Sequence, residues 1–264
     1  MADKIRSDFG DVAELVNPNG AGPVVLICEH ASNAIPAELD GLGLDEDARA
    51  SHIAWDPGAR ELSIMLSEAL DAPLVCGCVS RLVYDCNRPP DASSAMPETS
   101  EATNIPGNLG MSPADRVNRI ASVYEPFCDA VQQVLSARKT AGRPTAVVTI
   151  HSFTPVYFGK PRAVEIGILH DDDRTLADAM LARAGTVAPR DVRRNTPYGP
   201  EDGVTHSLRI YGLANTLPNV MIEARNDLLS TPEGTADIAQ EILAMLVPAL
   251  SDIGLTQSGR VHHA

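Results

Sequence analysis

Three short apolar runs constrain this chain more than any other feature: VVLICEH (24–30), AVVTIH (146–151) and NVMIEA (219–224) each end in or run into a side chain able to bind metal or move a proton. Continuous apolarity without alternation is the pattern of a strand buried on both faces, which requires layers above and below the sheet. Those layers are available as helical periodicity from Ala59 to Leu70, over 112–138, over 173–185, and in TADIAQEILAMLVPALSDIG near the end. Strands alternating with helices predict an α/β layered domain, a mixed and mostly parallel sheet flanked by helices, spanning 1–264 as a single unit. Ligands of open α/β sheets bind beyond the carboxyl ends of the strands, so His30, His151 and Glu223 are expected to meet there.

The remaining segments are read more simply. Residues before Gly22 form an irregular acidic lead, and APLVCGCVSRLVYDCN gives one or two strands. RPPDASSAMPETSEATNIPGN is a long Pro- and Ser-rich loop expected to act as a lid or pocket wall. AVEIGILH is a further strand, and the tail to Ala264 is read as loose. Asp56 followed by Pro57 is placed like a helix cap and first helical position, which brings Asp56 to the same crevice.

Composition excludes several classes of function. The net charge of −14 gives no basic face for nucleic acid, and no apolar stretch is long enough for a membrane span. Acidic residues occupy the start where a signal peptide needs an apolar run, so the expected location is cytoplasmic. Five cysteines without CxxC spacing read as reduced core thiols. An acidic body still admits an anionic substrate when a few arginines are focused in a pocket.

Two imidazoles and one carboxylate, His30, His151 and Asp56, make a three-ligand set with a position left open for water, the pattern of catalytic zinc sites. A divalent metal there would lower the pKa of water and polarise an amide carbonyl, with Glu223 as general base. Arg81 or His206 would supply the donor for the developing oxyanion. Each residue also has a structural reading: Asp56 as a cap, Glu223 paired with Arg225, Arg81 paired with Asp85, and His52 packed in its turn. His170 beside three aspartates is read as a solvated acidic turn, and His262 and His263 are given no role.

The pieces ICEHASNAIP, HIAWDPGA, SRLVYDCNRP, TIHSFTP, NTPYGPEDGVTHSL and VMIEARNDLL resemble the N-formylglutamate amidohydrolases over about residues 25–230. The resemblance implies a fold similar to the zinc carboxypeptidases (phosphorylase/hydrolase-like), His30, Asp56 and His151 as ligands of zinc or another divalent metal, and Glu223 as base. Analogy with related zinc amidases, not spacing, selects Asp56 over Asp85. It implies Arg81, Asn87, Arg88 and Arg225 as candidates for gripping an acidic acyl amino acid, arginine being suited to bidentate carboxylate pairing. Asn33 and Glu29 flank His30 as candidates to orient it. Better-known members carry Pro-His-Ser-Gly where this chain has Glu29-His30-Ala31-Ser32, so the chain falls in a divergent branch in which Glu29 is an alternative acidic ligand. The expected reaction is hydrolysis of an N-formyl or N-acyl acidic amino acid. The alternatives are a zinc amidase acting on another N-acyl amino acid or muropeptide, and a non-catalytic protein that binds an acidic metabolite.

Overall fold

Alternate residues of the first apolar run enter different cores: Val24, Leu26 and Cys28 pack on one side, Val25 and Ile27 on the other. A strand of this kind is stable only with apolar layers on both faces, and the chain supplies them. In this computed structural model, residues 3–187 and 189–256 are described. The expected loose tail, with His262 and His263, lies outside the described residues.

In chain order the strands are β1 (Asp3–Ser7), β2 (Gly10–Val16), β3 (Val24–Cys28), β4 (Leu74–Gly77), β5 (Thr99–Ser100), β6 (Thr103–Asn104), β7 (Ala146–Phe153), β8 (Val156–Tyr157), β9 (Lys160–Pro161), β10 (Ile166–Leu169), β11 (Val192–Arg194) and β12 (Asn219–Arg225). The helices are α1 (Glu46–Ala50), α2 (Ala59–Leu70), α3 (Pro113–Arg119), α4 (Glu125–Thr140), α5 (Thr175–Leu181) and α6 (Pro232–Asp252). Eight strands form one sheet in the order β1-β2-β4-β3-β7-β12-β10-β11. Its centre, β4-β3-β7-β12, is parallel, and β2 and β10 join it antiparallel on either side. The expected mixed, mostly parallel sheet with flanking helices is therefore observed. Helices α2, α5 and α6 cover one face, where Leu62, Leu66, Ile238, Ile242 and Met245 are buried against the strands. On the other face α4 packs Phe127, Val131 and Leu135. Among the described residues no helix is long and apolar enough to cross a membrane.

Several local expectations are corrected. The acidic lead is not irregular: β1 and β2 form an antiparallel hairpin whose Lys4 and Asp11 pair at 2.6 Å, so charges alternate outward on an edge strand while Val12 and Ala13 enter the core. Of the one or two strands expected in the next segment, one forms, Leu74–Gly77. Beyond it, the Ser80 hydroxyl donates to the Ala54 carbonyl at 2.8 Å and accepts from the Leu82 amide, closing a turn that buries Leu82, Val83 and Tyr84 without a sheet partner. The helix expected over 112–138 has a π-helical turn at Ile120–Tyr124 between α3 and α4. That turn sits where Pro126 lacks an N–H and crowds the carbonyl four residues earlier. The helix expected over 173–185 ends at Leu181 and gives way to a 3-10 turn at Ala184–Val187.

Candidate active site

Parallel pairing of β7 with β12 sets Glu223 directly beside His151, and extending the β3–β7 register past Ile27 and Thr149 brings Glu29 to the other side of His151. Strand partners in register project to the same face, so these chemical groups share one side of the sheet. His30 follows the end of β3. The Asp56 amide donates to the His30 carbonyl at 3.0 Å, which draws the loop before α2 over the strand end. Asp56 is not the helix cap that the sequence suggests. Gly58 holds that position at φ +79°, and a Cβ there would lie 2.4 Å from Leu229 Cβ, so the backbone can turn here only without a side chain. Asp56 is thereby released to point into the crevice, where its Oδ2 also accepts from the Ser152 amide at 3.3 Å.

His30 Nδ1 lies 3.2 Å and His151 Nδ1 2.9 Å from the same oxygen, Asp56 Oδ2. The ligand atoms of His30, Asp56 and His151 all fall within 4.8 Å of one another, and all three residues are buried. Each imidazole turns its other nitrogen to a second carboxylate: His30 Nε2 to Asp85 at 2.7 Å, and His151 Nε2 to Glu29 at 3.2 Å. The His151–Glu29 approach is an ion-pair distance without hydrogen-bond geometry. A metal-binding histidine characteristically hands its distal N–H to such a group, which fixes the tautomer and frees the near nitrogen as a donor. The donor set therefore fits a divalent ion, with Asp56 in the set and Glu29 behind His151. Glu29, the alternative ligand, faces the wrong side of the ring for that role.

Electrostatics follow this arrangement. Burial disfavours the Asp85 carboxylate, but Arg81, His30 and Arg88 outweigh it and hold Asp85 well below the usual range. Burial likewise opposes charge on Asp56, and the two histidines hold it far down. For His151 the Glu29 and Asp56 carboxylates overcome burial and raise the imidazole well above its ordinary value. Glu223 is the exception. Burial pushes it up to about 7, with His151 opposing and the Asp56 charge adding to the rise. Its Oε2 is buried with no hydrogen-bond partner. Gly167 on β10 makes room beside it, because a Cβ there would stand 2.2 Å from the Thr196 carbonyl and 3.2 Å from Glu223 Cβ.

These groups open onto a cleft of about 410 Å³, the size that takes an amino-acid-sized ligand. His30, Asp56, His151, Glu223, Arg81, Asn87 and Arg88 all line it. Arg81 Nη2 pairs with Asp85 at 2.7 Å and Nη1 with Asp56 at 3.4 Å, so its structural and cleft-lining readings hold together. Arg88 forms no ion pair among the described residues; its Nη1 donates to the Asn87 carbonyl. Asn87 is committed elsewhere: its amide donates to the Val204 carbonyl at 2.6 Å and its oxygen accepts from the Ser207 amide at 3.0 Å, which tethers the 204–207 segment. The long loop is a pocket wall as expected, contributing Ser94, Thr99 and Glu101, with Glu101 tied to His52 at 2.6 Å.

Three sequence candidates do not line the cleft. Asn33 donates to the Arg49 carbonyl, away from His30, which Asp56 and Asp85 orient instead. His206 Nε2 meets the Tyr124 hydroxyl at 2.8 Å, and burial lowers its pKa, so it offers no charged donor to the cleft. Arg225 spends its guanidinium on Asp227 and on the carbonyls of Arg162 and Ala163. His170 belongs to a hydrogen-bonded turn in which Asp171 accepts from Arg209 at 2.7 Å. Cys28, Cys76 and Cys86 are buried, with thiols raised by burial, as expected of core residues, while Cys78 and Cys128 are half-buried. Sequence reasoning assigned nothing to Tyr198, which lines the cleft with Glu223 and Arg81; its signal was the NTPYGPEDG motif.

No curated protein gives a significant match to the sequence. A crystal structure of a gene product of Agrobacterium tumefaciens superimposes with a TM-score of 0.91 at 50% identity, covering 95% of this chain and 100% of that one. The structure of an N-formylglutamate amidohydrolase from Ralstonia eutropha JMP134 superimposes at 0.65 with 19% identity, over 91% of this chain and 97% of that chain, a likeness of fold. The family model for N-formylglutamate amidohydrolase matches residues 22–230, a span that contains every cleft residue named above, and the chain belongs to that family of amidohydrolases.

Proposed function

We propose that the protein hydrolyses the amide bond of an N-formyl or other N-acyl acidic amino acid, with N-formyl-L-glutamate, giving formate and L-glutamate, as the reference substrate. His30, Asp56 and His151 would hold a divalent metal, zinc by the character of two imidazoles and one carboxylate with a position left open. When bound, such an ion supplies polarisation of the amide carbonyl and a lowered proton affinity of water. The observation that carries the reading is the meeting of this donor set with Glu223, a buried carboxyl whose free Oε2 faces no protein partner. Glu223 takes the proton of the attacking water and returns it to the departing amine. A carboxyl raised toward neutrality is matched to both transfers. Asp85 and Glu29 keep the two imidazoles in the orientation that turns Nδ1 toward the cleft. Arg81 holds positive charge beside the reacting centre, and Arg88 is placed to receive a substrate carboxylate.

The test is metal content together with turnover of N-formyl-L-glutamate. The expected result is about one equivalent of divalent metal, activity that falls to background when a chelator removes it, and recovery on adding zinc or cobalt. Full turnover of the chelated, metal-free protein would overturn the reading.

A further inference from the structure

Of the candidate oxyanion donors read from the sequence, His206 faces Tyr124, and Arg81 is shared between Asp85 and Asp56. The cleft contains another donor. Tyr198 follows β11 and its ring lines the cleft wall together with Tyr157 of β8 and Phe153 of β7. Arg162, just past β9, stands behind all three: its guanidinium carbon lies 5.6 Å from the Phe153 ring centre, 4.3 Å from Tyr157 and 4.9 Å from Tyr198. Arg162 forms no ion pair among the described residues, and its Nη1 donates to the Tyr198 hydroxyl at 3.0 Å. A guanidinium has no acceptor, so in this bond the tyrosine oxygen must accept. The single Tyr198 hydroxyl proton is left for another partner, and no protein acceptor takes it among the described residues. Tyr198 lines the same cleft as Glu223, Arg81 and the His30–Asp56–His151 cluster, so its hydroxyl faces the space in which the substrate would react.

We propose that Tyr198 is a catalytic hydrogen-bond donor to the oxygen of the amide carbonyl as negative charge develops on it, and that Arg162 is a positioning residue that fixes the hydroxyl by occupying its acceptor side. This rests on the deacylase reading above. A neutral donor already oriented by the protein needs no reorganisation as charge develops, so it favours the transition state over the bound substrate. Arg162 also withdraws electron density from the phenol, which strengthens the O–H as a donor. The stack on three rings keeps Arg162 in place at the base of the β8–β9 hairpin, each contact being a cation over an aromatic face.

Tyr198→Phe keeps the ring and its stacking and removes only the hydroxyl. The expected result is a fall of about 10²–10³ in kcat with KM close to wild type, the size of effect seen when one oxyanion donor is deleted. A phosphonamidate analogue of the N-acyl amino acid, with tetrahedral phosphorus at the acyl carbon, should bind Tyr198→Phe more weakly by a comparable factor. Arg162→Met should slow the wild type and have little further effect in the Tyr198→Phe background, because it acts through the hydroxyl. A rise in KM at constant kcat, or equal affinity of the two proteins for the analogue, overturns the role of Tyr198. Equal losses from Arg162→Met in both backgrounds overturn the coupling. Weaker analogue binding by Tyr198→Phe, in a protein that hydrolyses no N-acyl amino acid, supports the donor while the proposed reaction fails, so the two readings fail separately.

Discussion

The two halves of the cleft are built differently. The inner half is set on strand ends and the tight turns beside them: His30, Asp56, Asp85, His151 and Glu29 are almost wholly buried, and each imidazole has a carboxylate facing both of its nitrogens. The outer half stands on loops: Glu101 and Tyr198 are half-buried and held largely by one side-chain bond each, to His52 and to Arg162. Rigid elements hold reacting groups to the tolerance that proton transfer and metal binding demand, whereas loops can change which ligand is admitted without disturbing the core. The inner half is thus expected to govern metal retention and proton transfer, and the outer half to admit the substrate and to bring the Tyr198 donor to it.

The sharpest way to break this division is at Glu223. Glu223→Gln preserves shape and removes the group that accepts the proton, so kcat should fall by about 10²–10⁴ while N-acyl amino acid still binds. Steady-state kinetics and titration calorimetry check both parts. A variant that keeps kcat within about tenfold of wild type shows that another group is the base.

Glu29 gives the next largest effect. Glu29→Gln leaves His151 Nε2 facing a neutral amide, and loss of a partner of this kind costs about 10–100-fold in metal affinity. Competition with a chromophoric chelator measures it directly. Unchanged affinity would mean that Glu29 serves only to fill the space behind the ring, and the division between the halves would then rest on Asp85 alone.

The inner half was also the legible half. An apolar run buried on both faces announces a strand, and the residue that ends it announces chemistry, so His30, His151 and Glu223 could be read from the sequence with no knowledge of their neighbours. Asp56 could be brought to the crevice from its place before Pro57, but choosing it over Asp85 needed analogy with related zinc amidases; the cap reading fails because Gly58 adopts the left-handed turn instead. Glu29 was read as a partner of its neighbour His30 or as a ligand. Its actual contact, His151, is set by strand register, which spacing along one chain does not reveal. The outer half was legible only as a long loop expected to wall the pocket. Tyr198, Arg162 and Glu101 acquire their roles only when hairpins and turns distant in sequence close over the strand ends, and no local periodicity records that approach. The edge hairpin was missed because its strands, DKIRS and GDVAELV, are short and charged and contain no apolar run like those of the central strands.

Arg225 tests the boundary between the halves and should give the smallest effect on catalysis. It lies on β12 two residues beyond Glu223, so position alone favoured a role in gripping substrate. Its Nη1 instead donates to the Arg162 and Ala163 carbonyls at 3.1 and 3.2 Å, while Nε pairs with Asp227 at 2.8 Å. Arg225→Met leaves those two carbonyls without a charged donor next to the segment that carries Arg162. The expected cost is about 1–3 kcal/mol of stability, seen as a lower midpoint in denaturant, with KM near wild type at temperatures where the variant is folded. The opposite pattern, unchanged stability with a KM for N-formyl-L-glutamate raised tenfold or more, would move Arg225 into the cleft. It would also show that the inner strands, and not only the loops, select the substrate.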